Sequence, residues 1–299
     1  MCFTDARHSA RKTILIWQTG MRRLKSLSQF IVFFLILIFS ALISPGCLFA
    51  LTIDVATLNG GPTITLTPNE VIEVTGTDQI NTKGWNTLKA LTGNNFSLVF
   101  NNGQLTIPNK AMLNNSFLTS FTANNVTAIG EYAFYGCTSL AQTSLPAGVT
   151  SIGNNAFSMC TNLALTSLPP GLTSISYSAF SFCPSLALTS LPSGLTSIGG
   201  NAFRACTSLA LTSLPSGLTS IGGNAFYYCT SLALTSLPSG LTSFGEYVFI
   251  YCAGLEWLDL SSCVGLTSIG YGAFKHCESL ATVAMPPVRP TEGGNIDTF

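Results

Sequence analysis

The chain has 299 residues, only 8% of them charged, and twelve basic side chains balance twelve acidic ones to a net charge of zero. Six of the twelve basic residues (Arg7, Arg11, Lys12, Arg22, Arg23 and Lys25) precede the first apolar run, and between Cys137 and Ser243 the sole charged side chain is Arg204. That composition excludes nucleic-acid binding, which needs Lys and Arg to neutralise phosphates, and predicts a neutral, hydroxyl-rich surface suited to proteins or sugars.

Residues 1–50 read as an export signal or membrane anchor. Met21 to Lys25 (MRRLK) supplies a charged head, and Phe30 to Ile43, broken only by Ser40, supplies a short apolar segment. Its fourteen residues fall short of the ~20 that span a bilayer, although counting through Pro45 to Leu51 reaches that length. Ser44 and Gly46 fit signal-peptidase cleavage before Cys47, which also fits a lipidation site, with Ser44 where leucine is usual. In every reading the basic head stays inside and the remainder crosses the membrane. The expected location is the cell surface, outer envelope or exterior.

Residues 51–95 do not repeat. Ile64 with Leu66, and Val71 to Val74, predict short strands, while Trp85, Leu88 and Leu91 share one face of a helix. The segment is read as an N-terminal cap, because the open end of a stacked array exposes core.

From residue 96 to 286 one pattern recurs. A Phe followed three residues later by Cys occurs at Phe134/Cys137, Phe157/Cys160, Phe180/Cys183, Phe203/Cys206, Phe226/Cys229, Phe249/Cys252 and Phe274/Cys277, spaced 23 residues five times and then 25. A worn first unit carries Met112 and Asn115 at these positions. A fixed period of this length means a small unit stacked on its copies. Units 191–213 and 214–236 are identical at 21 of 23 positions, differing only at Arg204/Tyr227 and Ala205/Tyr228, as expected of a recent duplication. Residues 287–299 form a C-terminal tail.

Within the unit Leu232 to Leu255, Leu232, Thr235 and Leu237 fall on an LxxLxL spacing, and Pro238 with Gly240 ends the strand. A second extended piece, Leu241 to Phe244, leads to Val248-Phe249 and Cys252 on the return. Coils stacked at about 4.8 Å pair equivalent strands in parallel and bring the Phe side chains into a column. Burial stabilises by about 1.5 to 3 kcal/mol per Phe.

The joint LP, SIG and AF-to-C spacing from about Phe96 to Met285 resembles the BspA-type leucine-rich repeat family. The resemblance implies a leucine-rich repeat solenoid with short parallel strands in each 23-residue coil and irregular or short helical return segments, on bacterial or protist surfaces and often associated with adhesion. One departure stands out: Thr143, Thr166, Thr189, Thr212 and Thr235 occupy a strand position that is apolar in the family, and only Leu258 and Val283 restore it.

If the family register holds, Leu165, Leu188, Leu211, Leu234, Trp257 and Asp259 lie on the exposed strand face and are the candidate ligand-binding residues. The competing register has a local bulge that turns these leucines inward and the threonines outward, since a one-residue slip exchanges the faces. Both stay open at this point.

No cofactor or metal is expected, because the cysteines come one per coil and the chain has only His8 and His276. Neighbouring cysteines of the column, about 5 Å apart, are marginal for disulfides, which an oxidising compartment would still allow in places; the default reading is a column of small buried side chains, with Cys263 outside it as the exposed thiol. Glu256 and Asp259 are a weak carboxylate pair, and no nucleophile stands beside a positioned base. The expected function is therefore non-enzymatic: an exported repeat protein that binds a protein or glycan partner, including one on a host cell, through its strand face. The alternative is an envelope protein whose solenoids associate with one another.

Overall fold

The computed structural model describes residues 50–287, except positions 62, 63, 65, 67, 77, 102, 104 and 105, together with the backbone of 291 and 292. The export segment with Cys47, and nearly all of the C-terminal tail, lie outside the described residues.

The first coils are built by β1 (Ala50–Asp54), α1 (Val55–Asn59), β2 (Glu70–Thr75), α2 (Thr82–Lys89) and β3 (Phe96–Phe100). Both helices are short and begin at side-chain caps: Asp54 accepts from the Ala56 amide at 2.8 Å, and Asn81 accepts from the Gly84 amide at 3.0 Å. Trp85, Leu88 and Leu91 are buried on the inward side as their spacing predicts, and Leu66 is buried outside any strand. The strands β1, β2, β3 and β5 (Leu118–Ala123) run parallel in one four-stranded sheet. The non-repeating segment thus joins the strand ladder, with helices where later coils have turns.

Asn115 makes the transition. It occupies the cysteine position of the worn unit, and its buried amide donates to the Lys89 and Leu91 carbonyls at 3.1 and 2.9 Å while accepting from the Phe117 and Leu118 amides at 3.0 Å each. One side chain thereby ties the end of α2 to the start of β5.

Beyond it each coil carries a two-residue strand, Ser-Ile in most copies: β6 (Ala128–Ile129), β7 (Ser151–Ile152), β8 (Ser174–Ile175), β9 (Ser197–Ile198), β10 (Ser220–Ile221), β11 (Ser243–Phe244) and β13 (Ser268–Ile269). The isoleucines and Phe244 point into the core. The following glycine allows the coils to close. A Cβ on Gly222 would lie 2.4 Å from the Gly200 nitrogen, and one on Gly153 2.6 Å from the Glu131 nitrogen, both backbone atoms that cannot yield. Gly153, Gly199, Gly222 and Gly245 each donate an amide to the isoleucine carbonyl one coil earlier at 2.8 to 2.9 Å.

Ser176 replaces this glycine in one coil, and there the ladder is interrupted: β7 ends a three-stranded sheet with β4 (Thr106–Ile107) and β6, and β8 opens the next. The Ser176 hydroxyl, not its amide, reaches the Ile152 carbonyl.

The core is continuous. Phe134, Phe157, Phe180, Phe203, Phe226, Phe249 and Phe274 are all buried and stack with neighbouring ring centroids 5.2 to 5.8 Å apart and planes within 11° of parallel. Phe121 from β5 closes the column 4.6 Å from Phe134. Such offset stacks add to the burial itself.

Candidate functional site

On the strand side, the structure takes the bulged register. Leu165, Leu188, Leu211 and Leu234 are at most 1% exposed, whereas Thr166, Thr189, Thr212 and Thr235 and the serines after them face solvent. The exposed placement of these four leucines is corrected. Its cause is chemical: the family register would bury a threonine hydroxyl without a partner and expose a leucine, and both changes cost free energy. Leu163, Leu165 and Leu168 all point inward, with Thr166 and Ser167 bulged out between the last two. Where the central residue is apolar the regular strand returns, as β12 (Trp257–Asp259) pairing with β14 (Thr282–Ala284) and Leu258 buried.

Trp257 and Asp259 do reach the surface. Trp257 is 49% exposed, and Asp259 accepts from the Ser261 amide at 2.7 Å. Hydrogen bonds from the Ser261 hydroxyl and amide hold the Asp259 carboxyl below its ordinary range. The strand side of the central coils is otherwise a ladder of short hydroxyl side chains.

The cysteine column has a bonding role that its spacing did not reveal. Each thiol donates to the carbonyl of the preceding coil's Phe, from Cys160 to Phe134 at 3.0 Å through Cys277 to Phe249 at 2.9 Å, and Cys137 donates to Met112 at 3.1 Å. All described cysteines are free. Burial pushes Cys137 and Cys206 up to about 12 and Cys277 up to about 11, and raises Cys160, Cys183, Cys229 and Cys252 well above the ordinary value. A thiol held protonated in this way is a poor nucleophile or metal ligand. Cys263, expected to be exposed, is buried, with its thiol donating to the Pro238 and Leu237 carbonyls of the preceding coil at 3.4 and 3.5 Å. Among the described residues no three His, Cys, Asp or Glu side chains converge as a metal site.

The surface that distinguishes coils lies elsewhere, on the return arm from glycine to cysteine. In the coil of Phe203, the amides of Asn201, Phe203 and Ala205 donate to the next coil's Gly223, Ala225 and Tyr227 at 2.7 to 2.9 Å. The intervening amides of Ala202, Arg204 and Cys206 bond back within the arm at 3.1 to 3.3 Å. This alternation needs a left-handed residue at two places in every arm. Asn155, Asn201 and Asn224 fill the first at φ 54 to 57°, a conformation asparagine tolerates. Met159, Phe182, Ala205, Tyr228, Tyr251 and His276 fill the second at φ 57 to 62°, immediately before the cysteine.

With its backbone so turned, the residue before each cysteine projects outward. Met159, Phe182, Tyr228 and Tyr251 are 37 to 46% exposed in successive or alternate coils. The preceding position carries Arg204 and Tyr227. The Arg204 guanidinium lies 4.6 Å from the Tyr227 ring centroid and 5.4 Å from that of Phe182, between rings of the two neighbouring coils. Tyr251 stacks on His276 at 4.6 Å and meets Tyr228 edge-on at 6.0 Å. The sequence reading passed over these residues. The available signal was the duplicated pair of units, whose two differing positions are the two before the cysteine.

Comparison with known proteins agrees with this architecture. A search of curated protein sequences gives no match. The chain is similar in structure to the pneumococcal vaccine antigen PcpA, with 23% identity, 82% of this chain and 62% of that one covered, and a TM-score of 0.51. It is also similar to a leucine-rich repeat protein from Bacteroides ovatus (21% identity, 83% and 85% covered, TM-score 0.42) and to a leucine-rich cell surface protein from Faecalibacterium prausnitzii (20%, 85% and 86%, 0.36). The model of the BspA type leucine rich repeat region matches in six copies over residues 90–210 and 173–290. With its repeat matched over most of its length and its coils stacked as that repeat requires, the chain belongs to the BspA-type leucine-rich repeat family.

Proposed function

We propose that this chain is a surface-displayed, non-enzymatic binding protein that recognises its partner through the return arms of its coils. The carrying observation is the line of exposed aromatic side chains at Phe182, Tyr228 and Tyr251 with Met159, set on a rigid, hydrogen-bonded backbone. Contiguous apolar surface open to solvent marks an interaction site, and aromatic residues supply large contact area at low entropic cost. Display outside the cell is supported by the export-type N-terminus, and a structural neighbour is itself described as a cell surface protein. No helix among the described residues is long and apolar enough to cross a membrane. The adhesion of this protein to a host or neighbouring cell would be one use of such a surface.

Two measurements test the reading. Protease shaving of intact cells should release peptides from residues 121–285; release only after lysis would contradict display. Binding of the labelled full-length chain to cells should fall on substituting Tyr228 and Tyr251 with Ala, while Trp257→Ala leaves it unchanged. The opposite pattern would return the site to the strand side, and concentration-dependent assembly without a partner would favour the self-associating envelope protein.

A further inference from the structure

We infer that the return arm around Arg204 binds a carboxylate-bearing sugar chain, an acidic glycan, and this rests on the reading that the arms are the recognition surface. Arg204 is the one charged side chain between Cys137 and Ser243, so the coils on either side of it place no acidic group on this face. Its Nε is buried and has no hydrogen-bond partner among the described residues, and its guanidinium lies between the rings of Phe182 and Tyr227. Stacking occupies the faces of a guanidinium and leaves its edge for in-plane hydrogen bonds, the geometry that matches a carboxylate two bonds at a time. A lone cation on an otherwise neutral face is the complement of an anion.

The surroundings of that cation favour a sugar over a peptide. Phe182, one of the two rings beside it, is 43% exposed, Tyr228 on the next coil is 46% exposed, and Tyr177, 53% exposed, accepts from the side-chain amide of Asn201 at 3.2 Å. Exposed ring faces receive the apolar faces of pyranose rings, and the tyrosine hydroxyls supply partners for sugar hydroxyls. An extended peptide would gain most from main-chain pairing, but the outward-turned amides of Asn201, Phe203 and Ala205 are already committed to the next coil. The ring centroids of Tyr227 and Tyr251 stand 5.8 Å apart, and the arms repeat along the solenoid, so that successive sugars of one chain meet successive coils.

The duplicated coils bear on the same point. Units 191–213 and 214–236 differ only where Arg204-Ala205 stands opposite Tyr227-Tyr228. In the first, the cation is followed by the small Ala205; in the second, Tyr228 adds an exposed ring. Together they make a cation flanked by a ring platform, which neither unit has alone.

The test uses the purified full-length chain with oligomers of galacturonate and of sialic acid, each beside its carboxyl-reduced form. The acid forms should bind and the reduced forms bind at least tenfold more weakly, with Arg204→Gln losing the difference and Phe182→Ala and Tyr228→Ala weakening both. Arg204→Lys should recover only part of the loss, because an ammonium group offers no planar edge. Equal binding of acid and reduced forms, lost with Tyr228→Ala but not with Arg204→Gln, overturns the acidic ligand while leaving the arm as the recognition surface. Binding of polyglutamate with the same dependence on Arg204 and Phe182 overturns the glycan assignment. Binding that no arm substitution changes overturns both readings.

Discussion

Residues 191–213 and 214–236 fold into two coils that share every inward side chain and the same backbone bonding of the return arm to the next coil, and differ in sequence only at two positions on that arm. Leu209 and Leu232, Phe203 and Phe226, Cys206 and Cys229, and Gly199 and Gly222 occupy equivalent places in columns that run through the whole solenoid. The difference separates two kinds of residue: those that a stacked coil must have to fit its copies, and those left free to meet a partner.

The largest predicted effect acts on the shared column of thiols. Folded cysteines keep their protons to higher pH than unfolded ones, so stability is constant below the ordinary value of 9.0 and falls as the pH rises from there towards about 12 for Cys137 and Cys206 and about 11 for Cys277. Roughly 1 kcal/mol per thiol at one unit above that value, summed along the column, amounts to several kcal/mol. Thermal melts followed by circular dichroism should drop steeply between about pH 9 and pH 10, and Cys206→Ala should flatten the slope. An unchanged slope would show that the column does not resist ionisation.

Next, Phe203→Ala and Phe226→Ala should each cost about 3 to 5 kcal/mol in equilibrium unfolding, and by similar amounts, since the rings have the same neighbours. A large inequality would mean that the two coils are not equivalent inside. Gly222→Ala should cost about 3 kcal/mol, because its Cβ would meet the Gly200 backbone at 2.4 Å and the coils must part to admit it. A native-like melt would show that the coils are looser than the ladder implies. The smallest effect is expected at the interrupted ladder. Ser176→Gly restores the residue found in the other coils, and the regained backbone bond, about 1 kcal/mol, is partly offset by glycine's entropy. Its readout is slower hydrogen exchange at residue 176.

These residues also show what the sequence carried. Phe and Cys repeat at one spacing and face inward in every coil, so their columns could be read directly. The strand register could not, because LALTSL holds alternating leucines that satisfy two registers, and the choice rests on whether a threonine hydroxyl finds a bonding partner. Trp257 was legible as exposed since its coil has the regular LxxLxL pattern. The line of aromatics was hidden for a different reason: asparagine holds the first left-handed position only in the arms of Asn155, Asn201 and Asn224, with Tyr132, Ser178 and Tyr247 in others, and Met, Phe, Tyr, Ala and His carry no such preference at the second. Their outward direction follows from the bonding between coils.

The most direct test of the division between scaffold and recognition surface makes the two coils identical. The double variant Arg204→Tyr with Ala205→Tyr should melt within about 2 °C of the native chain, as surface substitutions do. Titrated side by side with oligogalacturonate, it should bind at least tenfold more weakly than the native chain. A variant that melts far lower would place Arg204 and Ala205 in the scaffold, and one that binds as well as the native chain would contradict the account.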